Sequence, residues 1–337
     1  MRYLLVAAVS VSLFASPARP AEEAIFAPGA KLKVEAAGGA GGEGPAWHPK
    51  LGLLSSGNGH IYQLTRNGHS RIYRKDAGTN GLLFDPRGRL VACESESRRI
   101  TRTDADGKST VLTDRYMGKR YNTPNDLTID GKGRIYFSDP RYGDRKGMEI
   151  RDEQGRTVEG VYRIDPDGKV TRVIGREVER ANGVLVSAGD RYLYVADNNN
   201  DRVGGARKLW RFDLRLDGSV DLASKKLLHD WGKGRGPDGL KQDVQGRLYV
   251  AAGRNSPNPA EPDTAVKGGI YVLSPEGKLL TFLPVPRDEV TNCAFGGEDR
   301  RTLYVTGGGV LYSIRTTTPG RVVWPVARAP RGGGEGR

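Results

Sequence analysis

Residues 237–252 read PDGLKQDVQGRLYVAA, and the pattern in this stretch recurs along the chain. Asp238 lies in a short loop, ten positions before Leu248, the leucine of an apolar run that is typical of a β-strand. Leucine or isoleucine takes the corresponding place in five other runs, at Leu53, Leu90, Ile135, Leu193 and Leu303. A glutamate or asparagine stands ten or eleven positions before each of these, at Glu43, Asn80, Asn125, Asn182 and Asn292. This spacing indicates one structural unit used six times.

Each repeat continues into further β-rich segments joined by tight turns, as in VYRIDPDGK, residues 161–169. Asp-Gly between two such segments is a hairpin signal, because glycine accepts a positive φ angle. Four antiparallel strands per unit are the content of a propeller blade. The sequence therefore predicts an all-β fold, a six-bladed β-propeller forming a single domain over residues 22–319. We expect a strand at Lys31–Ala36 to close the ring by completing the last blade.

The recurring polar position has a geometric meaning in a propeller. The loop that enters the first strand of each blade points toward the central axis, so six loops meet at one place. Here they offer side-chain oxygens, two of them from the carboxylates Glu43 and Asp238. Calcium prefers six to eight such oxygen ligands, whereas zinc favours histidine and cysteine, which the set lacks. The alternative is that these residues stand in turns and bond local backbone.

The two ends of the chain differ from the body. Residues 1–21 combine Arg2, the apolar run Leu4–Ala15 and a final Ala21, a pattern that predicts a signal peptide and an exported protein, periplasmic or secreted. The run is too short to span a membrane. Residues 320–337 form a basic tail rich in glycine, proline and arginine, within a chain of net charge +13. Because the other basic residues are scattered, we expect no nucleic-acid partner.

The two cysteines fall in repeats that are not neighbours. Cys93 belongs to the second repeat and Cys293 to the sixth. We therefore expect two buried free thiols instead of a disulfide, although an exported protein could form one. Oligomeric state is left open by the sequence.

Six short stretches stand in order along the chain: Glu43-Gly-Pro-Ala-Trp47, Asn122-Thr-Pro-Asn-Asp126, Tyr136-Phe-Ser-Asp-Pro-Arg-Tyr-Gly143, Ala181-Asn-Gly183, Pro237-Asp-Gly239 and Val290-Thr-Asn-Cys-Ala-Phe-Gly-Gly297. In this order they resemble the six-bladed gluconolactonase and regucalcin-like family. The resemblance implies one divalent metal ion, held by Glu43, Asn125, Asn182 and Asp238. It also implies that Asp238 is the catalytic, proton-transferring residue, while a metal-activated water is the alternative base. Regucalcin-like members carry an arginine two residues before the position of Asn125, and here that residue is Thr123. Arg141 is a candidate to replace it.

Three functions fit this set of residues. The first is hydrolysis of a small sugar-type lactone with Ca²⁺ as the ion, Mg²⁺, Mn²⁺ and Zn²⁺ being alternatives. The second is hydrolysis of an organophosphate or phosphoester on the same site, and the third is a metal-binding propeller without catalysis. Candidate residues for binding a small-molecule substrate are Asn80, Asp126, Asp139, Tyr142 and Asn292. The loops at 144–158 and 253–267 are expected to flank the pocket entrance.

Overall fold

The computed structural model describes residues 24–323, and in this part of the chain six four-stranded antiparallel sheets follow one another. Strand β1 (Lys33–Gly41) comes first, ahead of the first blade. Blades one to three comprise β2 (Glu43–His48), β3 (Gly52–Gly57), β4 (His60–Leu64) and β5 (Ser70–Arg74); β6 (Leu82–Phe84), β7 (Leu90–Glu94), β8 (Arg99–Thr103) and β9 (Ser109–Thr113), with a small hairpin β10 (Arg115–Tyr116) and β11 (Lys119–Arg120); and β12 (Leu127–Ile129), β13 (Ile135–Ser138), β14 (Val161–Ile164) and β15 (Val170–Ile174).

Blades four to six repeat the pattern, and the predicted six-bladed β-propeller is confirmed. They comprise β16 (Ala181–Val186), β17 (Tyr192–Asn198), β18 (Arg207–Leu214) and β19 (Val220–Asp230); β20 (Leu240–Gln242), β21 (Leu248–Ala252), β22 (Gly269–Leu273) and β23 (Leu279–Pro284); and β24 (Val290–Gly296), β25 (Thr302–Gly307) and β26 (Gly309–Arg315). The runs that defined the repeat are the second strands. They are buried on both faces because neighbouring blades cover them, which explains their continuous apolar character. The fourth strands lie outermost, and β5 is largely exposed.

The ring is closed by pairing the first strand with the last. Strand β1 is antiparallel to β26, with Lys33 opposite Ser313 and Ala36 opposite Leu311. The last sheet therefore has the order β1-β26-β25-β24. The predicted closing strand is confirmed in its place, and it begins at Lys33 and continues to Gly41. Both ends of the described chain thus hold one blade together.

The far end of the inner strands, away from the ring of polar residues, is covered by residues 320–323. The Arg321 N–H donates to Gln242 O at 2.8 Å, and its guanidinium donates to Val186 O at 2.7 Å. Val322 packs against the core of blade six, near Phe295. This part of the predicted tail thus lies against the propeller. The predicted signal peptide at 1–21 and residues 324–337 of the tail lie outside the described residues.

Within residues 24–323 no helix is long and apolar enough to cross a membrane. One short 3₁₀ turn, Ala188–Asp190, occurs in that range. Cys93 and Cys293 are both free and buried, as predicted.

The rim around the polar ring is uneven. The connections between second and third strands lie on the same face as the loops that enter the first strands. These connections are long over blades three to five, at 139–160, 199–206 and 253–268, and short over blades one, two and six, at 58–59, 95–98 and 308. The expected loops near 144–158 and 253–267 belong to the high side.

Asp139, at the end of strand β13, joins two loops of blade three. Its Oδ2 accepts the Asn122 N–H at 2.8 Å, while Oδ1 is buried without a partner. Asp197 has the same position in blade four, where it accepts the N–H groups of Glu179 and Arg180. The shared arrangement shows that a carboxylate here fixes the loop entering the first strand.

We expect Asp139 to make stability depend on pH. Burial raises the pKa of its carboxyl to about 8, against the N–H groups of Asn122 and Thr123, which lower it. An unfolded aspartate ionises near ~4, so the folded protein binds this proton more tightly. The stabilisation is complete below the pKa of the unfolded aspartate. It is lost as pH rises through about 8, at up to ~1.4 kcal/mol per pH unit.

Thermal unfolding of the parent and of Asp139→Asn between pH 5 and 9 tests this expectation. The variant keeps an acceptor oxygen, and its melting temperature should fall less over the range than that of the parent. Asp106→Asn, in an exposed turn, is the control and should follow the parent. Parallel curves for the parent and Asp139→Asn would contradict the assignment.

Candidate functional site

The six polar residues of the repeat stand at the entry of the inner strands, and neighbouring loops touch around the axis. The residue after a ring position is glycine in four blades. A Cβ atom at each of these glycines would lie 2.0–2.6 Å from an atom of the next ring residue, since Gly44 meets Asn80, Gly81 meets Asn125, Gly183 meets Asp238 and Gly239 meets Asn292. The glycines therefore permit the close approach that brings the ring together. The recurring glycine was a signal in the sequence that the repeat analysis did not use.

Glu43 and Asp238 are close enough to repel one another. The pKa of Glu43 is raised well above its usual value, first by burial and then by the charges of Asp238 and Asp126, while the Gly44 N–H and Arg235 lower it. Burial also raises the pKa of Asp238, to about 7, against the lowering effect of Arg235. Desolvation thus dominates at both carboxyls. The positive charge of Arg235 does not balance the negative charge of Glu43, Asp126 and Asp238.

Asn182 is oriented by Tyr142. Its Nδ2 donates to the Tyr142 hydroxyl at 2.8 Å, and that hydroxyl donates to Asn198 O at 3.3 Å. The Arg180 guanidinium lies over the tyrosine ring, 4.9 Å from its centre. With its nitrogen engaged in this way, Asn182 keeps Oδ1 buried and without a partner.

The chemistry of the donors fits a hard cation. Two of the four predicted metal ligands, Asn182 and Asp238, each have a buried Oδ1 with no hydrogen-bond partner. Glu43 adds a second carboxylate, and Asn125 is 7% exposed at the equivalent position of blade three. Buried unpaired oxygens are costly unless a ligand satisfies them. In residues 24–323 no group of three or more His, Cys, Asp and Glu side chains is arranged to hold a metal, so any ion here depends on amide oxygens.

The predicted substrate-binding residues divide into two groups. The charge of Asp126 contributes to the raised pKa of Glu43, and Asp126 Oδ2 is buried without a partner. The pKa of the Tyr142 hydroxyl is raised by burial and then by the charge of Asp238. Asn80 lies in the ring with its own Oδ1 unpaired. Asn292 has its oxygen engaged, because Oδ1 accepts the Cys293 N–H at 2.9 Å and the Lys241 ammonium at 3.3 Å. Asp139 does not join this group, since its carboxylate faces Asn122.

An ion-pair chain beside Asp238 was missed by the sequence analysis. Arg235 Nη2 donates to Asp238 Oδ2 at 2.6 Å, and its Nη1 lies 3.2 Å from Glu289. Glu289 also pairs with Arg254, which lies 3.6 Å from Glu261. Arg235 is three residues before Asp238, and this spacing was the one signal available.

The position that carries arginine in the regucalcin-like pattern has a different role here. The Thr123 hydroxyl donates to Pro140 O at 2.6 Å. The proposed replacement, Arg141, donates from Nε to Asp144 O at 2.7 Å, within its own loop. The arginine that contacts the ring is Arg235, which bonds Asp238, and a second cation, Lys241, bonds Asn292.

Known proteins share this organisation. The chain is 31% identical over 253 residues to the gluconolactonase of Zymomonas mobilis, an alignment that covers 73% of this chain and 65% of that protein. It therefore spans slightly less than two thirds of that relative. Over 306 residues it is 26% identical to the 6-deoxy-6-sulfogluconolactonase of Pseudomonas putida, covering 83% of this chain and 92% of that protein.

The solved structure of a gluconolactonase from Xanthomonas campestris superimposes with a TM-score of 0.71 and 29% identity, covering 89% of this chain and 99% of that one. Residues 41–309, most of the propeller, match the family model described as the SMP-30/Gluconolactonase/LRE-like region. A match of this extent, with the ring of polar residues inside it, shows that the chain belongs to the SMP-30/gluconolactonase/LRE-like family.

Proposed function

We propose that the protein hydrolyses a small sugar-type lactone at the polar ring, with one divalent cation, Ca²⁺, held by Glu43, Asn125, Asn182 and Asp238. The observation that carries this proposal is the state of Asp238. Its Oδ2 is held by Arg235, and its Oδ1 is buried in the ring without a partner. Oxygen donors of this kind suit calcium. When bound, the cation supplies Lewis-acid polarisation of the lactone carbonyl.

The remaining chemistry belongs to the chain. A water molecule attacks the carbonyl carbon and gives its proton to the Asp238 carboxylate. The bond between that carbon and the ring oxygen breaks, the ring oxygen receives the proton, and the product is the open hydroxy acid. A pKa near neutrality lets a carboxyl accept and return a proton, although a bound cation lowers the value for Asp238. The Tyr142 hydroxyl and Asp126 would orient substrate hydroxyls.

Replacement of Asp238 tests the proposal. Asp238→Asn should lower kcat for glucono-1,5-lactone about 10³-fold, because the proton acceptor is lost while the shape is kept. Asp197→Asn is the matched control, a buried aspartate of the neighbouring blade that bonds only its own loops and Trp210. Chelation of divalent ions should abolish the activity of the parent, and Ca²⁺ should restore it.

The same assay separates the alternatives. Faster cleavage of a fluorophosphate than of the lactone would assign the site to the phosphorus reaction. Absence of hydrolysis with both substrates, in protein shown to bind Ca²⁺, would leave a binding propeller. Equal loss of activity in Asp238→Asn and Asp197→Asn would remove the special role of Asp238.

Arg235 should act as a positioning residue for Asp238. Its ion pair engages Oδ2 and leaves Oδ1 as the buried oxygen without a hydrogen-bond partner. Arg235→Gln should lower kcat about 100-fold and change KM less than threefold, since the base is misplaced but substrate contacts remain. Calcium affinity, measured by calorimetry, should not weaken, because the lost charge is positive and repels the ion.

Arg254→Gln is the matched control, since it removes the same charge from the same ion-pair chain without contacting Asp238. Its kcat should stay close to that of the parent, and Arg235→Lys should recover part of the activity. Equal losses of kcat and of calcium affinity in Arg235→Gln would show that the arginine only maintains the structure.

We also infer, from the predicted leader at residues 1–21, that the reaction takes place outside the cytoplasm. Expression of the full chain in a Gram-negative host, followed by fractionation, should recover processed protein from the periplasm or medium. Unprocessed protein in the cytoplasm would contradict this inference.

A further inference from the structure

The polar ring has one open side. The long connections at 139–160, 199–206 and 253–268 surround it over blades three to five. Over these blades the rim is also bound together by ion pairs, including Arg180 with Asp201 at 2.5 Å and Arg235 with Glu289 at 3.2 Å. Over blades one and two the connections contain only residues 58–59 and 95–98. The low side of the rim, which also includes the short connection of blade six, therefore leaves room for a substrate larger than the central pocket.

A groove begins at the ring on this low side. It encloses about 580 Å³, including the part open to solvent, and Glu43 and Asn80 of the ring form its inner end. Its other polar lining comes from Ser56, Asn58, Thr79, Ser95 and Glu96, and glycine backbone forms the rest. The groove is continuous with the candidate site because the two share Glu43 and Asn80.

The chemistry of the groove favours a neutral polyhydroxy ligand. Among the described residues that line it, none is aromatic or positively charged, so it offers no stacking surface and no anion site. The Ser56 hydroxyl is engaged, because it donates to Asn80 O at 2.6 Å. Asn80 Oδ1, in contrast, is buried without a partner, and the exposed Glu96 carboxylate adds further acceptors. Acceptors of this kind suit the hydroxyl groups of a sugar.

The position of the groove relative to Asp238 defines which end of the substrate it receives. Asp238 belongs to blade five, and in a ring of six the opposite blade is blade two, whose entry loop contains Thr79 and Asn80. A lactone carbonyl placed at Asp238 directs the opposite side of its six-membered ring toward blade two. In a 1,5-lactone the atom opposite the carbonyl carbon is C4.

We propose that this groove is a subsite for a second sugar ring, and that the protein accepts 1,5-lactones of disaccharide aldonic acids linked through O4. The inference rests on the proposed lactonase function and extends it. The second ring takes no part in the bond changes: the lactone carbon–oxygen bond is hydrolysed as before, and the glycosidic bond remains intact.

Two substrates that differ only in the second ring test the proposal on the full chain. Glucono-1,5-lactone is compared with its 4-O-glucosyl derivative in the presence of Ca²⁺. The KM of the disaccharide lactone should be about one fifth of the KM of glucono-1,5-lactone, or lower, as expected from one or two additional hydrogen bonds. A kcat/KM for the disaccharide lactone that is 100-fold below that of glucono-1,5-lactone would overturn the subsite and leave the lactonase function standing.

Binding measurements keep the subsite testable if no hydrolysis is observed. The corresponding lactams, in which a ring nitrogen blocks hydrolysis, are titrated into the calcium-loaded protein by calorimetry. Tighter binding of the disaccharide lactam supports the subsite even if the lactonase proposal fails. Equal or weaker binding of the disaccharide lactam overturns the subsite.

A pair of variants places the second ring in the groove. Glu96 lines the groove, whereas its neighbour Ser97, equally exposed in the same turn, does not. Glu96→Trp should change the ratio of kcat/KM for the two lactones about tenfold, because the new side chain occupies the path of the second ring. Ser97→Trp should leave the ratio unchanged. A ratio that is the same in both variants and the parent excludes the groove as the binding place.

Discussion

Burial of negative charge at the propeller axis is the constraint on which the site depends. Glu43, Asp126 and Asp238 lie near one another, and repulsion adds to desolvation at Glu43 and Asp238. Arg235 offsets part of this charge but bonds only one oxygen of Asp238. Unpaired buried carboxylates destabilise a fold, so their presence where six loops converge indicates selection for binding. A dication would compensate this charge without removing the donors that the substrate needs.

The sequence predicted the fold and the ring because both follow from spacing. An interval of ten or eleven residues, as from Asp238 to Leu248, occurs six times, and the second strands are largely apolar because two blades cover them. Spacing cannot distinguish which carboxylates face the axis. Asp126 precedes β12 and Asp139 follows its partner strand β13, yet Asp139 bonds the Asn122 backbone and Asp126 acts on Glu43. Their difference arises from side-chain direction within a loop, which has no period in the sequence.

The ion-pair chain was unpredictable for another reason. Arg235, Glu289, Arg254 and Glu261 come from three separate segments, and they meet because the connections of blades five and six fold over one another. Each residue alone resembles an ordinary surface charge. Only the short spacing between Arg235 and Asp238 was visible in the sequence. Loop-borne contacts of this kind are where related propellers differ, whereas the strands that support them are shared.

The arginine beside the ring has a different origin here from that in the regucalcin-like pattern. In the regucalcin-like pattern an arginine precedes the asparagine of blade three, while here Thr123 is bonded to Pro140 and the arginine comes from blade five. Arg235 lies on the same side as Asp238, where it offsets part of the charge of the proposed base. Among the described residues that line the groove on the opposite side, only Glu43 and Glu96 are charged. The high rim and the buried ion pairs then lie together over blades three to five. Under the proposed function, the low side over blades one and two is left to receive substrate, because Asp238 and Arg235, the proposed base and its positioning residue, are anchored across the axis.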